Sequence, residues 1–108
     1  MIASGESMID VARELKKRGA KKIFMMSAYS LFTKGIEVFD KAYEEGLFTR
    51  LYTSNLSYVT EEALQRKWLY QADCSEYVAK IIYTFYLGKS VAPILDYKSK
   101  KLEDFAKN

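Results

Sequence analysis

Apolar residues along this chain fall into two patterns, helical spacing and short continuous runs, and the two alternate. Met8, Val11, Ala12 and Leu15 recur at helical spacing, with Arg13, Glu14, Lys16, Lys17 and Arg18 facing away, which predicts an amphipathic helix. Ser7 is placed to cap it by accepting from a free amide of the first turn. Gly19 stops it behind a basic last turn that suits the helix dipole. Residues 23–28 are a continuous apolar run, the pattern of a parallel-sheet strand covered on both faces, with the strand proper expected over 23–27. Residues 29–35 then form a loop at that strand's C-terminal end, where open α/β sheets hold their ligands. A second helix is expected over 35–45, with Ile36, Phe39, Ala42 and Tyr43 inward and Gly46 as the stop. Residues 51–53 and 68–72 read as the second and third strands, separated by a loop over 54–58 and a short capped turn over 60–64. Residues 73–87 form the other strong helix, with Val78, Ile81, Ile82 and Phe85 as one inward stripe, ended by Gly88. Residues 90–95 are apolar, and Pro93 favours an extended or turn start there. The tail over 96–108 is charged, with Leu102, Phe105 and Ala106 spaced for an amphipathic turn or two.

Helix and strand alternating at these lengths predict an α/β fold with a parallel sheet, three strands, and right-handed crossovers. A chain of 108 residues suits one domain with a modest core, and no internal repeat, linker or low-complexity segment divides it. Composition narrows the chemistry. There is no His, which excludes a His base or a His-rich metal site. The single Cys, Cys74, excludes an internal disulfide framework and fits a reducing, cytoplasmic setting. A net charge of +3 with its cations spread along the chain argues against nucleic acid. No apolar run reaches membrane-spanning length, and the first residues do not have the basic-then-apolar layout of a signal peptide.

The candidate chemistry lies at the start, in Met1-Ile2-Ala3-Ser4-Gly5-Glu6-Ser7-Met8-Ile9. Ala3, Ser4, Gly5 and Ser7 are small or hydroxyl-bearing and precede a helix. Such a turn lets amides converge where the helix adds about half a positive charge, an anion site that suits phosphate. A Ser-Gly-x-Ser turn before a helix is, taken alone, more often only a cap. Cys74 opens a helix, where a thiol pKa falls, but with no second Cys and no His its ordinary reading is structural. Tyr70, Tyr77, Tyr83 and Tyr86 are ordinarily packing or interface residues rather than a stacking platform. Lys98-Ser99-Lys100-Lys101 reads as a solvated tail.

Residues 1–7 resemble the phosphoribosyl-diphosphate loop of type I phosphoribosyltransferases, and more narrowly that of the ribose-phosphate pyrophosphokinase family. That loop reads Asp-Asp, two apolar residues, a small residue, then Thr/Ser-Gly-x-Thr/Ser. The resemblance continues in collinear order. Ser30-Leu31-Phe32-Thr33-Lys34-Gly35 is similar to a Gly-Leu-Phe-Ser/Thr-x-Gly segment, and Tyr52-Thr53-Ser54-Asn55 to a Thr-Thr/Asn-Asn turn. Asp73-Cys74-Ser75 with the following helix, then Gly88-Lys89-Ser90-Val91, resemble the family's last helix and the segment after it. The likeness spans roughly residues 1–95, leaving 96–108 as a tail of the same single, partial domain.

The resemblance implies a truncated phosphoribosyltransferase-like three-layer fold, a short parallel sheet flanked by helices. It implies a 5-phosphate site for ribose 5-phosphate, or phosphate alone, at Ala3, Ser4, Gly5, Glu6 and Ser7, occupied weakly. Glu6 would oppose a phosphate unless its side chain points outward. The family transfers diphosphate from ATP to ribose 5-phosphate with magnesium. Its acidic pair would precede Met1, and its ATP site lies largely in an N-terminal domain and at a subunit interface. Asp10, Asp40 and Asp73 are poor substitutes for the pair. The expectation is therefore a fragment inactive on its own, with no catalytic residue, no metal ligand and no cofactor of its own. A sheet cut short leaves an edge and apolar faces open, implying a homodimer or other homo-oligomer. It would bury the truncated side of the sheet, or the outward Tyr83 and Tyr86 of the helix over 75–87, unless Leu102 and Phe105 seal the gap. Two other readings stay open: a non-catalytic self-associating module or redesigned half-domain, and a small phosphate-sensing protein that kept the loop.

Overall fold

The computed structural model describes residues 1–95. The elements run α1 (Glu6–Lys17), β1 (Phe24–Ser27), α2 (Glu37–Glu44), β2 (Arg50–Ser54), α3 (Glu61–Leu64), β3 (Leu69–Ala72), α4 (Ser75–Tyr86) and α5 (Ala92–Leu95). The strands form one parallel sheet in the order β1-β2-β3, so the fold is the mixed α/β arrangement expected. The chain divides into two compact units, 1–74 and 75 onward.

Register decides which side chains share a face. Met25, Leu51 and Leu69 align across the strands, as do Met26, Tyr52 and Tyr70. The first row is buried in a cluster with Ile9 and Ala12 of α1, Phe39 and Ala42 of α2, Ala63 of α3, and Trp68. Phe39 is its centre. Its ring stacks on Trp68 at 5.5 Å and meets Phe32 and Phe48 edge-on at 5.3 and 6.3 Å, geometries that suit the ring quadrupole. On the other face Phe24, Met26 and Tyr70 are exposed, and the Phe24, Tyr52 and Tyr70 rings form a ladder across the three strands. Within the first unit the continuous apolar run of β1 is therefore covered on one face.

The helices keep their places, but their buried faces differ from the periodic reading. In α1 the buried residues are Ile9 and Ala12, whereas Val11 and Leu15 are exposed. The apolar arc of α1 is wider than its contact with the core, and only the Ile9 side meets α2 and the sheet. In α2 Phe39 and Ala42 are buried, but Tyr43 is partly exposed and lays its ring 5.7 Å from Phe48. Both helices end alike. The amide after each glycine, on Ala20 and Leu47, donates to the carbonyl five residues back, and Gly19 and Gly46 donate three back, which satisfies the last-turn carbonyls. Thr60 caps α3 by accepting from the Ala63 amide.

In the second unit α4 carries Val78 and Ile81 half-buried, while Ile82 and Phe85 are exposed alongside Tyr83 and Tyr86. The expected four-residue stripe is thus two residues wide. Pro93 lies inside α5 rather than in an extended start, because a first-turn proline needs no amide partner. Leu102, Phe105 and Ala106 lie outside the described residues. Among the described residues no helix is long and apolar enough to cross a membrane.

Candidate functional site

The opening residues are tied to the C-terminal end of the sheet. Ile2 pairs in parallel with Ser30, beyond β1. The Ile2 amide donates to the Tyr29 carbonyl at 2.7 Å, the Leu31 amide to Ile2 at 2.8 Å, and the Thr33 amide to Ala3 at 2.9 Å. Gly5 follows at φ 83, a left-handed conformation that glycine adopts without steric cost. A side chain there would run into the Phe39 ring. The chain thus turns with its backbone against the core, and α1 begins at once.

Gly5, not Ser7, is the N-cap, and no side chain caps the helix. Ser7 lies one residue inside the first turn, exposed, too late to cap it. The first helical bond runs from the Ile9 amide to the Gly5 carbonyl at 3.1 Å, so the amides of Glu6, Ser7 and Met8 precede the intrahelical ladder. Ala3, Ser4, Gly5, Glu6 and Ser7 therefore form one continuous turn into the uncapped positive end of α1, at the strand ends of a parallel sheet. That arrangement suits an anion.

Glu6 is engaged by Lys34, for which the sequence predicts no role beyond its place in the 30–35 segment. Lys34 Nζ donates to Glu6 Oε1 at 3.0 Å and to Oε2 at 3.1 Å. The pair neutralises the one carboxylate of the turn and draws it to the 31–35 loop. No spacing rule connects positions 6 and 34; only the bridge between residues 2–3 and 29–33 brings them together.

A layer of hydroxyls holds the neighbouring loops. Ser30 Oγ and Thr53 Oγ1 are 2.8 Å apart and buried. Ser27 donates to the Tyr29 carbonyl at 2.7 Å, Ser54 donates to the Ala28 carbonyl, and the Ser30 amide donates to Ser57 Oγ at 3.2 Å. Small hydroxyl residues at successive strand ends are the sequence signal for this layer, and they position the 28–30 backbone to which Ile2 is bonded.

The three aspartates weighed as substitutes for the acidic pair are committed elsewhere. Asp10 pairs with Arg13 at 3.2 Å. Asp40 accepts from Arg66 Nε at 3.0 Å and from Trp68 Nε1 at 2.7 Å. Asp73 accepts from Asn55, whose carbonyl oxygen takes the Cys74 amide at 2.8 Å. That contact gives Cys74 a place in the turn before α4. No group of three or more His, Cys, Asp or Glu side chains among the described residues is arranged to hold a metal ion. Magnesium wants near-octahedral oxygen ligation, and these residues do not fit it.

A turn of small residues leading into the uncapped start of α1 lies at the C-terminal end of the parallel sheet, an arrangement that suits an anion. No family model matches the chain. It is 29% identical over 94 residues to the ribose-phosphate pyrophosphokinase of Mycoplasmopsis pulmonis (strain UAB CTIP), a match that takes in 87% of this chain. The chain spans 28% of that protein's length.

Proposed function

We propose that this chain is the ribose-phosphate-binding part of a ribose-phosphate pyrophosphokinase, holding the 5-phosphate of ribose 5-phosphate on the amides of residues 3–7. The single observation that carries the reading is the uncapped start of α1, where the amides of Glu6, Ser7 and Met8 precede the first helical bond. The collinear likeness to a ribose-phosphate pyrophosphokinase over 94 residues supports the choice of ligand. Binding is weak, because the carboxylates weighed for the ribose hydroxyls are taken: Glu6 is paired with Lys34, and Asp10, Asp40 and Asp73 are engaged elsewhere.

By the same reading the polypeptide alone transfers no diphosphate. Phosphoryl-group transfer relies on metal ions and cationic side chains around the moving phosphates, and the described residues assemble neither. In an amide-detected NMR titration, millimolar phosphate or ribose 5-phosphate is expected to shift the signals of residues 3–8 before any others. Shifts centred elsewhere, or none at the turn, would overturn the reading. ATP, magnesium and ribose 5-phosphate added together are expected to yield no phosphoribosyl diphosphate above a protein-free blank.

The Glu6–Lys34 pair gives this site a charge signature. Glu6→Gln removes the competing carboxylate and frees Lys34, so phosphate affinity is expected to rise about three- to tenfold at low salt. Lys34→Ala leaves Glu6 uncompensated and is expected to lower it by a similar factor. Both changes should shrink as salt is added to about 0.5 M. Isothermal titration at two ionic strengths reads both signs.

A further inference from the structure

Among the described residues Phe32 is the one residue other than glycine with a left-handed backbone, at φ 48. A bulky side chain adopts that region only against steric resistance. Such outliers persist where the surrounding structure fixes them, and they gather at functional groups. Phe32 is fixed on every side. The Leu31 amide donates to the Ile2 carbonyl, and the Thr33 amide to the Ala3 carbonyl. The Phe32 ring meets Phe39 edge-on at 5.3 Å and Trp68 at 6.2 Å. The Gly35 amide donates back to the Phe32 carbonyl at 2.8 Å, closing a tight turn that carries Lys34. Phe39 is also the ring for which Gly5 leaves room. The turn into α1 and the turn that carries Lys34 therefore lean on one ring. A glycine at position 32 would make the same bend at no steric cost; only the phenyl group ties that bend to Phe39.

We propose that Phe32 is the positioning residue of the phosphate site: its ring, seated on Phe39 and Trp68, fixes the 32–35 turn so that Lys34 stands at the start of α1 and adds its charge to the amides that take the phosphate. The inference rests on the phosphate reading above and adds how the cation is aimed. Lys34 Nζ lies 3.0 and 3.1 Å from the two oxygens of Glu6, the first residue of α1, so the ammonium is at the helix start already. The pair does not hold it there unaided. The Lys34 and Glu6 side chains are 59% and 55% exposed, and an ion pair so exposed contributes little against the freedom of a long side chain. What limits Lys34 is the turn beneath it, pinned at one end by the Phe32 ring and at the other by the Gly35 amide.

The test is phosphate titration of the full chain at low salt, run as a double-mutant cycle between positions 32 and 34. Phe32→Gly keeps the bend and removes the ring. It is expected to weaken phosphate binding about three- to tenfold, as Lys34→Ala does. Combined with Lys34→Ala it should weaken binding no further, and its effect should fade by about 0.5 M salt together with that of Lys34→Ala. Phe32→Leu keeps apolar bulk in the core and should act in the same direction with the same dependence on Lys34; it decides the matter if circular dichroism shows Phe32→Gly unfolded. Phe32→Tyr keeps the ring and should recover most of the affinity that Phe32→Gly loses. With no ligand present, the carboxyl carbon resonance of Glu6 should move under Phe32→Gly as it moves under Lys34→Ala, since each takes the ammonium away from it. A loss that adds to that of Lys34→Ala, or that persists at high salt, would leave Phe32 a packing role alone and overturn the proposal. So would a Glu6 resonance that Phe32→Gly leaves in place. A wild-type chain that takes no phosphate at residues 3–8 overturns the phosphate reading instead, and the ligand-free Glu6 resonance still decides whether Phe32 places Lys34.

Discussion

Gly5→Ala is expected to destabilise the protein by about 3 kcal/mol, read as a lowered midpoint in urea or heat. Two costs combine. Gly5 sits at φ 83, where a side chain costs roughly 1–2 kcal/mol. The new methyl also enters the space of the Phe39 ring, and overpacking a closed core costs about 1–3 kcal/mol. Phe39 has no room to retreat: it is fully buried, stacked on Trp68 and walled by Phe32 and Phe48. The two sites are therefore coupled. Combined with Phe39→Leu, which shortens the ring side chain, Gly5→Ala should cost at least about 1 kcal/mol less than it does alone, a coupling within the usual range for touching residues. Equal costs in the two backgrounds would show that the backbone conformation, not the ring, dictates glycine. The loss should appear with no phosphate present, which separates packing from binding.

That coupling marks how far the chain could be read before folding. The small-residue turn, the α/β alternation and the three strands were legible, because strand runs and helical spacing survive in local sequence. The reason for Gly5 was not. Locally it reads as room for an anion; in the fold it is also room for Phe39, thirty-four residues later. Lys34 was illegible for the same reason, since its partner Glu6 reaches it only through the bridge of Ile2 to Ser30. Periodicity misplaced Val11, Leu15, Tyr43, Ile82 and Phe85 because it finds an apolar arc but not the fraction of that arc a neighbour covers. Asp40 looked like a weak candidate for site chemistry when no partner was in view. Its partners, Arg66 and Trp68, come from the turn before β3, which local sequence could not join to α2.

Asp40→Ala is expected to cost about 2–4 kcal/mol, an effect set by what it leaves behind. Asp40 accepts from Trp68 Nε1 at 2.7 Å and from Arg66 Nε at 3.0 Å. Trp68 is 2% exposed, so its indole N–H would lose its acceptor inside the protein, a penalty of about 1–3 kcal/mol. Arg66 would keep a half-buried guanidinium, held only by Glu62 at 3.2 Å on the exposed side. The contact with Asp40 also joins α2 to the turn between α3 and β3, so its loss loosens the third strand. Asp40→Asn separates the two contributions. Its side-chain oxygen can still take the indole proton, while the charge facing Arg66 is gone. It should therefore cost less than half as much as Asp40→Ala. Arg66→Ala in the wild-type background should fall between the two, because Asp40 keeps its bond to Trp68. Denaturant melts followed by Trp68 fluorescence, the only tryptophan in the chain, report stability and the local environment at once. If Asp40→Ala and Asp40→Asn melt together, the ion pair with Arg66 is the stabilising contact and the indole hydrogen bond is incidental.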